Sequence, residues 1–236
     1  MKNTGFAQGL YEVSSAQKEI MGMLRIEPDG RKFRYAQAGA AALGAGKIGI
    51  MVGVTANHID LSVAAAAAIG ATSVTVTLGA TAATADQYKD GYLQVNDGTG
   101  EGHSYLIDTN AAAALSTSCE ITLKDPIQVA LVTAATSQVS LIPNPWKGVT
   151  ESATSESGPA GIPLKAVPIS YYYWCQTGGV AVCLAEGTDA LGTTLELGAG
   201  AGGVKVQAGY TCGYVGTLIG TAFIAGEYKP ILLALD

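Results

Sequence analysis

Hydrophobic and polar positions alternate with a period of two over much of this chain from about residue 59 onward, and that period predicts strands. Ser73-Val74-Thr75-Val76-Thr77-Leu78 alternates strictly and is rich in β-branched side chains, which pack well on a pleated surface. Gly91-Tyr92-Leu93-Gln94-Val95 and Ser104-Tyr105-Leu106-Ile107-Asp108 flank the glycine-rich stretch 96–102, the pattern of a hairpin. Glu120-Ile121-Thr122-Leu123 follows, then Asp125-Pro126 as a turn, and residues 127–132 and 137–142 predict two more strands. Farther on, Tyr171-Tyr172-Tyr173-Trp174-Cys175-Gln176 and Val180-Ala181-Val182-Cys183-Leu184-Ala185 straddle Thr177-Gly178-Gly179, which predicts a second hairpin. Strands over 193–197, 203–206, 218–224 and 231–235 complete this half. Many short strands between turn signals predict a sandwich or barrel. The one helical expectation is a turn or two over residues 64–68, and no exact internal repeat is legible.

The first 47 residues break this pattern. They hold no sustained period, apart from a short strand at Lys32-Phe33-Arg34-Tyr35 after the Asp29-Gly30 turn. Seven basic against four acidic residues give them a net charge of +3, within a chain of −6. They also carry large apolar groups that need burial, which a disordered composition does not. An apolar, basic, irregular arm ahead of an acidic β body predicts burial on another protein. The anchors are then Phe6, Tyr11, Met23, Leu24, Ile26, Phe33 and Tyr35, with Arg31 and Arg34 meeting acidic groups of the partner. On this reading, removing residues 1–46 leaves a folded, soluble body that no longer binds.

A second break comes at Pro143-Asn144-Pro145-Trp146-Lys147-Gly148 and runs through the serine-, glycine- and proline-bearing stretch to Pro159, the composition of an exposed connection. The expected architecture is all-β. An extended N-terminal arm (1–47) precedes two small β-barrel or sandwich domains, the first at 48–145 and the second, a C-terminal barrel, at 163–236, joined by a linker (146–162).

Composition narrows the function. Hydrophobic residues make up 48% of the chain and charged residues only 14%, against a usual charged share of about 25%. So few charges suit a surface that neighbours cover. The acidic balance argues against nucleic acid as a direct partner, because neutralising phosphates needs clustered Lys and Arg. The most hydrophobic stretch, 61–69, is far shorter than the roughly 20 apolar residues of a membrane span, so no membrane partner is expected. The opening Met1-Lys2-Asn3-Thr4-Gly5 lacks the apolar run of a secretory leader. Cys119, Cys175, Cys183 and Cys212 stand singly, which predicts reduced, buried thiols in a reducing cytoplasm, with a Cys175–Cys183 link across the hairpin as the alternative.

Catalytic patterns are scarce. His103 neighbours a glycine-rich loop, but a strand follows where a phosphate loop needs a helix N-terminus. His58 has no partner at metal-ligand spacing, and Asp86, Asp90, Asp97 and Glu101 lack the alternating spacing of a calcium loop. There is no Gly-x-Ser-x-Gly elbow. An enzymatic role, a cofactor and a metal are therefore not expected. The aromatic run 171–174 with Trp146 reads as core plus interface packing, with Trp146, Tyr171 and Tyr173 as candidate oligomer or surface contacts. Its alternative use is a sugar-stacking platform.

Several of these stretches resemble tailed-bacteriophage proteins that decorate or cement the capsid. The likeness begins with Asp29-Gly30-Arg31-Lys32-Phe33-Arg34-Tyr35-Ala36-Gln37-Ala38-Gly39 and the Ala/Gly run after it. It continues through residues 91–102, Leu123-Lys124-Asp125-Pro126-Ile127 and Leu141-Ile142-Pro143-Asn144-Pro145. The segment Tyr173-Trp174-Cys175-Gln176-Thr177-Gly178-Gly179 with Ile219-Gly220-Thr221-Ala222 resembles the small β-barrels of head-decoration proteins. The resemblance implies a non-enzymatic virion protein, assembled in the host cytoplasm, on the outer capsid surface. It would bind the major capsid protein, stabilise contacts between its subunits, and associate with itself as a homodimer or, preferred, a homotrimer. A sugar-binding host-adhesion module and a tail or baseplate protein are the alternatives.

Overall fold

The computed structural model describes residues 5–133, 136–151, 158–188, 190–200, 202–208, 213–220 and 224–236. Sixteen strands are present among them. In chain order these are β1 (Leu24–Ile26), β2 (Lys32–Ala38), β3 (Gly49–Ile50), β4 (Leu61–Ser62), β5 (Ser73–Thr77), β6 (Tyr92–Gly98), β7 (Ser104–Asn110) and β8 (Ser118–Leu123). They continue with β9 (Ser137–Ile142), β10 (Lys147–Val149), β11 (Pro159–Pro163), β12 (Tyr172–Ala185), β13 (Thr194–Leu197), β14 (Gly203–Val206), β15 (Tyr214–Leu218) and β16 (Tyr228–Ala234). The all-β expectation holds, and both halves are barrel-like.

Two compact units divide the chain. One is residues 53–144; the other joins residues 1–52 to 145–236. In the first, six strands run in the order β4-β9-β6-β7-β8-β5, and a bridge from Val63 to Val76 draws the two edges toward closure. Strict alternation places Val74, Val76, Leu93, Val95, Ile107, Ile121, Val139 and Leu141 inside. Closure removes the open edges that would invite further strand pairing.

In the second unit, β12, β14, β13, β15 and β16 form a closed five-stranded barrel, because β16 also pairs with β12. Ala181, Cys183, Leu195, Leu197, Val204, Val215, Leu218, Ile231 and Leu233 fill it. The strand β12 is 14 residues long and serves two sheets. Its second half, Gly178 to Leu184, pairs with β16, while its first half, Tyr172 to Gly178, pairs with β2.

That pairing overturns the free arm. Residues 32–38 are an inner strand between β1 and β12, and Phe33 and Tyr35 are wholly buried beside Trp174 and Met21. Burying one such aromatic side chain is worth about 1.5–3 kcal/mol, so the greasy strip finds its cover inside its own unit. The segment before β1 is irregular yet held. The Trp174 indole N–H donates to the Gln8 carbonyl at 3.0 Å, and the Tyr35 hydroxyl donates to Gln8 Oε1 at 2.6 Å. The expected linker is also partly strand, since β10 pairs with β2 and β11 with β12 and β3; residues 152–157 lie outside the described ones.

Four local expectations change. Residues 64–68 are not helical: Ala67 makes an isolated bridge to Leu131, and residues 127–132 contribute only that bridge rather than a strand. Tyr172–Ala185 is one strand with a bulge, not a hairpin. Gly179 takes φ +83°, and the register to β2 slips between Gln176 and Gly178, so the glycines bend a continuous strand instead of reversing it. The expected strand 218–224 is not found there: β15 ends at Leu218, the only residue the two share, Ile219, Gly220 and Ile224 lie in no strand, and residues 221–223 lie outside the described ones.

Candidate functional site

The expected anchors scatter between core and surface. Phe33 and Tyr35 are core. Phe6 is half-buried with its ring edge-on to Trp174, centroids 5.1 Å apart, and Met23 is half-buried against the same cluster. Arg31 is engaged by Asp29, Nε to Oδ2 2.7 Å, and Arg34 by Asp236 at 2.8 Å, so both guanidinium groups have partners within the chain. Only Tyr11, Leu24 and Ile26 remain exposed, Leu24 and Ile26 on the edge strand β1. Arg25, another basic residue of the strip, is buried in this region. Its guanidinium lies 5.0 Å from the Phe6 ring and 5.3 Å from the Trp174 ring, and its Nε donates to Glu27 at 2.6 Å.

The aromatic run offers no stacking platform. Tyr173 and Trp174 are core; Tyr171 and Tyr172 are half-buried. Trp146 is half-buried too, its indole N–H donating to the Ala160 carbonyl at 3.0 Å and its ring lying under the Arg34 guanidinium at 5.1 Å. Tyr173 and Trp146 are therefore spent on the fold rather than on a contact surface.

The groups with chemical potential are equally committed. Burial pushes the Cys175 and Cys183 thiols up to about 12, the opposite of what a nucleophile needs. Both are free, so no Cys175–Cys183 link forms, and Cys212 lies outside the described residues. His58 is wholly buried, with Nδ1 bonded to the Tyr88 hydroxyl and Nε2 2.9 Å from the Thr81 carbonyl. A carbonyl only accepts, so Nε2 donates to it. His103 Nδ1 bonds the Gly100 carbonyl at 3.0 Å within its hairpin loop. Asp90 is buried and pairs with Lys124 at 2.6 Å. Among the described residues, no three His, Cys, Asp or Glu side chains gather as a metal centre would need.

What the surface does present is a recurring turn. Among the described residues, ten turns have a carbonyl accepting from the amide three positions on with positive φ at the third residue, and six of them are Gly44 to Lys47, Ala68 to Ala71, Thr84 to Gln87, Pro168 to Tyr171, Ala190 to Thr193 and Ile224 to Glu227. In these six the third residue is Gly46, Gly70, Asp86, Ser170, Gly192 and Gly226. Ala114 to Thr117 repeats the form with Ser116 at φ +55°, closed by the Thr117 hydroxyl. This is type II geometry. The residues just before the turns also bridge in pairs, Leu43 with Val167 and Ala83 with Ala113.

At four of these turns the second position, which no internal partner covers, is a large apolar residue. Ile69 is 69% exposed, Leu191 67%, Leu115 57% and Ile169 54%. The turn at Ile69 leads into β5 and the turn at Leu115 into β8. Those strands are antiparallel, with Ser73 opposite Thr122 and Thr77 opposite Ser118, so the two tips stand at opposite ends of one barrel-like sheet. The recurrence was legible as an Ile or Leu followed by Gly or Ser shortly before each strand. It escaped reading as a repeat because the intervening lengths differ.

Charge divides as sharply. Residues 53–144 carry Lys89 and Lys124 against eight carboxylates, a net of −6; the other unit holds 11 of each sign and is neutral.

No family model, no curated protein and no solved structure matches this chain. The reading of function therefore stands on the residues and their geometry.

Proposed function

We propose that this protein is a non-catalytic structural component of a phage-type virion, binding the outer surface of the assembled capsid and bridging its subunits. The observation that carries the reading is the display of Ile69 and Leu115 at opposite ends of one barrel-like unit, with Ile169 and Leu191 on equivalent turns of the other. Exposed apolar side chains on stiff, hydrogen-bonded turns lose little entropy on docking, and tips at both ends suit contact with two neighbours at once. Raised thiols and histidines held within the fold support an assembly role over a chemical one. The contact residues thus move from the N-terminal strip to the turn tips, with Tyr11, Leu24 and Ile26 as the part of the strip still available.

The test is co-sedimentation with shells assembled from the major capsid protein of the same virion, together with the heat resistance of the decorated shells. Each buried Ile or Leu is worth about 1.5–3 kcal/mol, so Ile69→Ser and Leu115→Ser should each weaken binding about ten- to hundredfold. Absence of co-sedimentation by the unaltered protein, or full binding by the double variant, rules the reading out.

A further inference from the structure

On the outer wall of the five-stranded barrel, alternation ought to place polar side chains toward water. Along β12 and β16 it does not. The outward residues of the two strands stand directly opposite one another, Val180 with Leu232, Val182 with Pro230 and Leu184 with Tyr228. All six are apolar or aromatic. Val180 is 56% exposed, Val182 53%, and Leu232 and Tyr228 47% each. The ladder continues into a groove of about 600 Å³ floored by Ile162, Pro163 and Leu164 and lined by the exposed rings of Tyr11 and Tyr228.

We propose that this ladder is a self-association face, on which a second copy of the chain packs ladder against ladder about a two-fold axis. Charge argues for that occupant. A two-fold contact sets one patch against itself, so any net charge on it meets its like. The ladder carries no charged side chain, and the unit that bears it is neutral, whereas residues 53–144 hold the whole −6 and repel their own copy. A strongly charged partner would find no counter-charge in the ladder; Arg31, at the groove, is already engaged by Asp29. Sheet faces pack well when both are apolar, at about 10 Å separation. Six ladder residues fall short of the 20–30 a side of a standard stable interface, so the expected dimer is weak, with a dissociation constant in the micromolar range. This inference concerns the protein alone and does not depend on capsid binding.

Sedimentation equilibrium of the full chain from about 2 to about 200 µM covers that range. The expected result is a monomer–dimer equilibrium that is little changed by salt, since no ion pair crosses the face. Val182→Lys and Leu232→Lys should each weaken it by about tenfold or more, and an equimolar mixture of Leu232→Lys with Leu232→Glu should restore association. Hydroxyl-radical footprinting of the unaltered protein should show Val182, Leu232 and Tyr228 becoming protected as concentration rises, a readout needing no variant to fold. A monomer at every concentration overturns the proposal. So does a dimer that both lysine variants leave intact, or a footprint unchanged at these three residues.

Discussion

Arg34 and Asp236 form a two-pronged ion pair, with Nε to Oδ2 at 2.8 Å and Nη2 to Oδ1 at 3.0 Å. The pair ties β2 to Asp236, two residues past the end of β16, and Lys32 adds a bond to the Asp236 carbonyl at 3.0 Å. Burial acts to raise the Asp236 carboxyl, but the bond and charge from Arg34, aided by Lys32, outweigh it and hold the group below its ordinary value of 3.8. A depressed carboxyl stabilises the fold above its unfolded value and loses that contribution as pH falls through the folded one. Denaturant midpoints measured from about pH 5 down to about pH 2 should therefore fall more steeply for the unaltered protein than for Asp236→Asn. Parallel slopes would show that the pair contributes nothing.

Phe33→Ala separates the folded strip from a free arm. In a free arm the change would leave stability untouched. Phe33 is instead wholly buried against Tyr35 and Trp174, where such truncations cost about 3–5 kcal/mol. Urea unfolding should lose that amount, and removing residues 1–46 should leave β12 without β2 and yield a misfolded or insoluble product rather than a stable body.

Gly179→Ala should destabilise by about 1–2 kcal/mol, the cost of left-handed backbone for an L residue. The position has φ +83°, and an added Cβ would stand 3.1 Å from Arg31 Cα. Thermal melting of this variant beside Ala234→Gly, on an exposed position of the neighbouring strand, gives the comparison.

Cys175 and Cys183, pushed up to about 12 by burial, should resist alkylation at about pH 8 in the folded protein and react on unfolding. Peptide-resolved mass spectrometry after iodoacetamide reads each thiol separately. Rapid labelling of either in the native state contradicts its burial.

Much of the strand pattern was legible because alternation is a local property. Ser73 to Thr77 and the hairpin of Tyr92 to Gly98 with Ser104 to Asn110 could be read from a few neighbouring residues. The N-terminal strip was misread for the matching reason. Phe33 and Tyr35 meet Trp174 across some 140 positions of sequence, and no local signal announces a partner so distant. Gly178-Gly179 misled in the same way, since a glycine pair permits a turn or a bulge and only the pairing of β12 with both β2 and β16 selects the bulge.

Composition and alternation by themselves determined an all-β chain of short strands with few charges, because side-chain period and β-branched content act within a handful of residues. Tertiary structure alone decided that residues 1–52 close onto 145–236, and which apolar side chains stay outside. Those outcomes depend on which distant strand supplies cover. That choice is made by closing two sheets on themselves, where burial is shared among strands that no short stretch of sequence brings together.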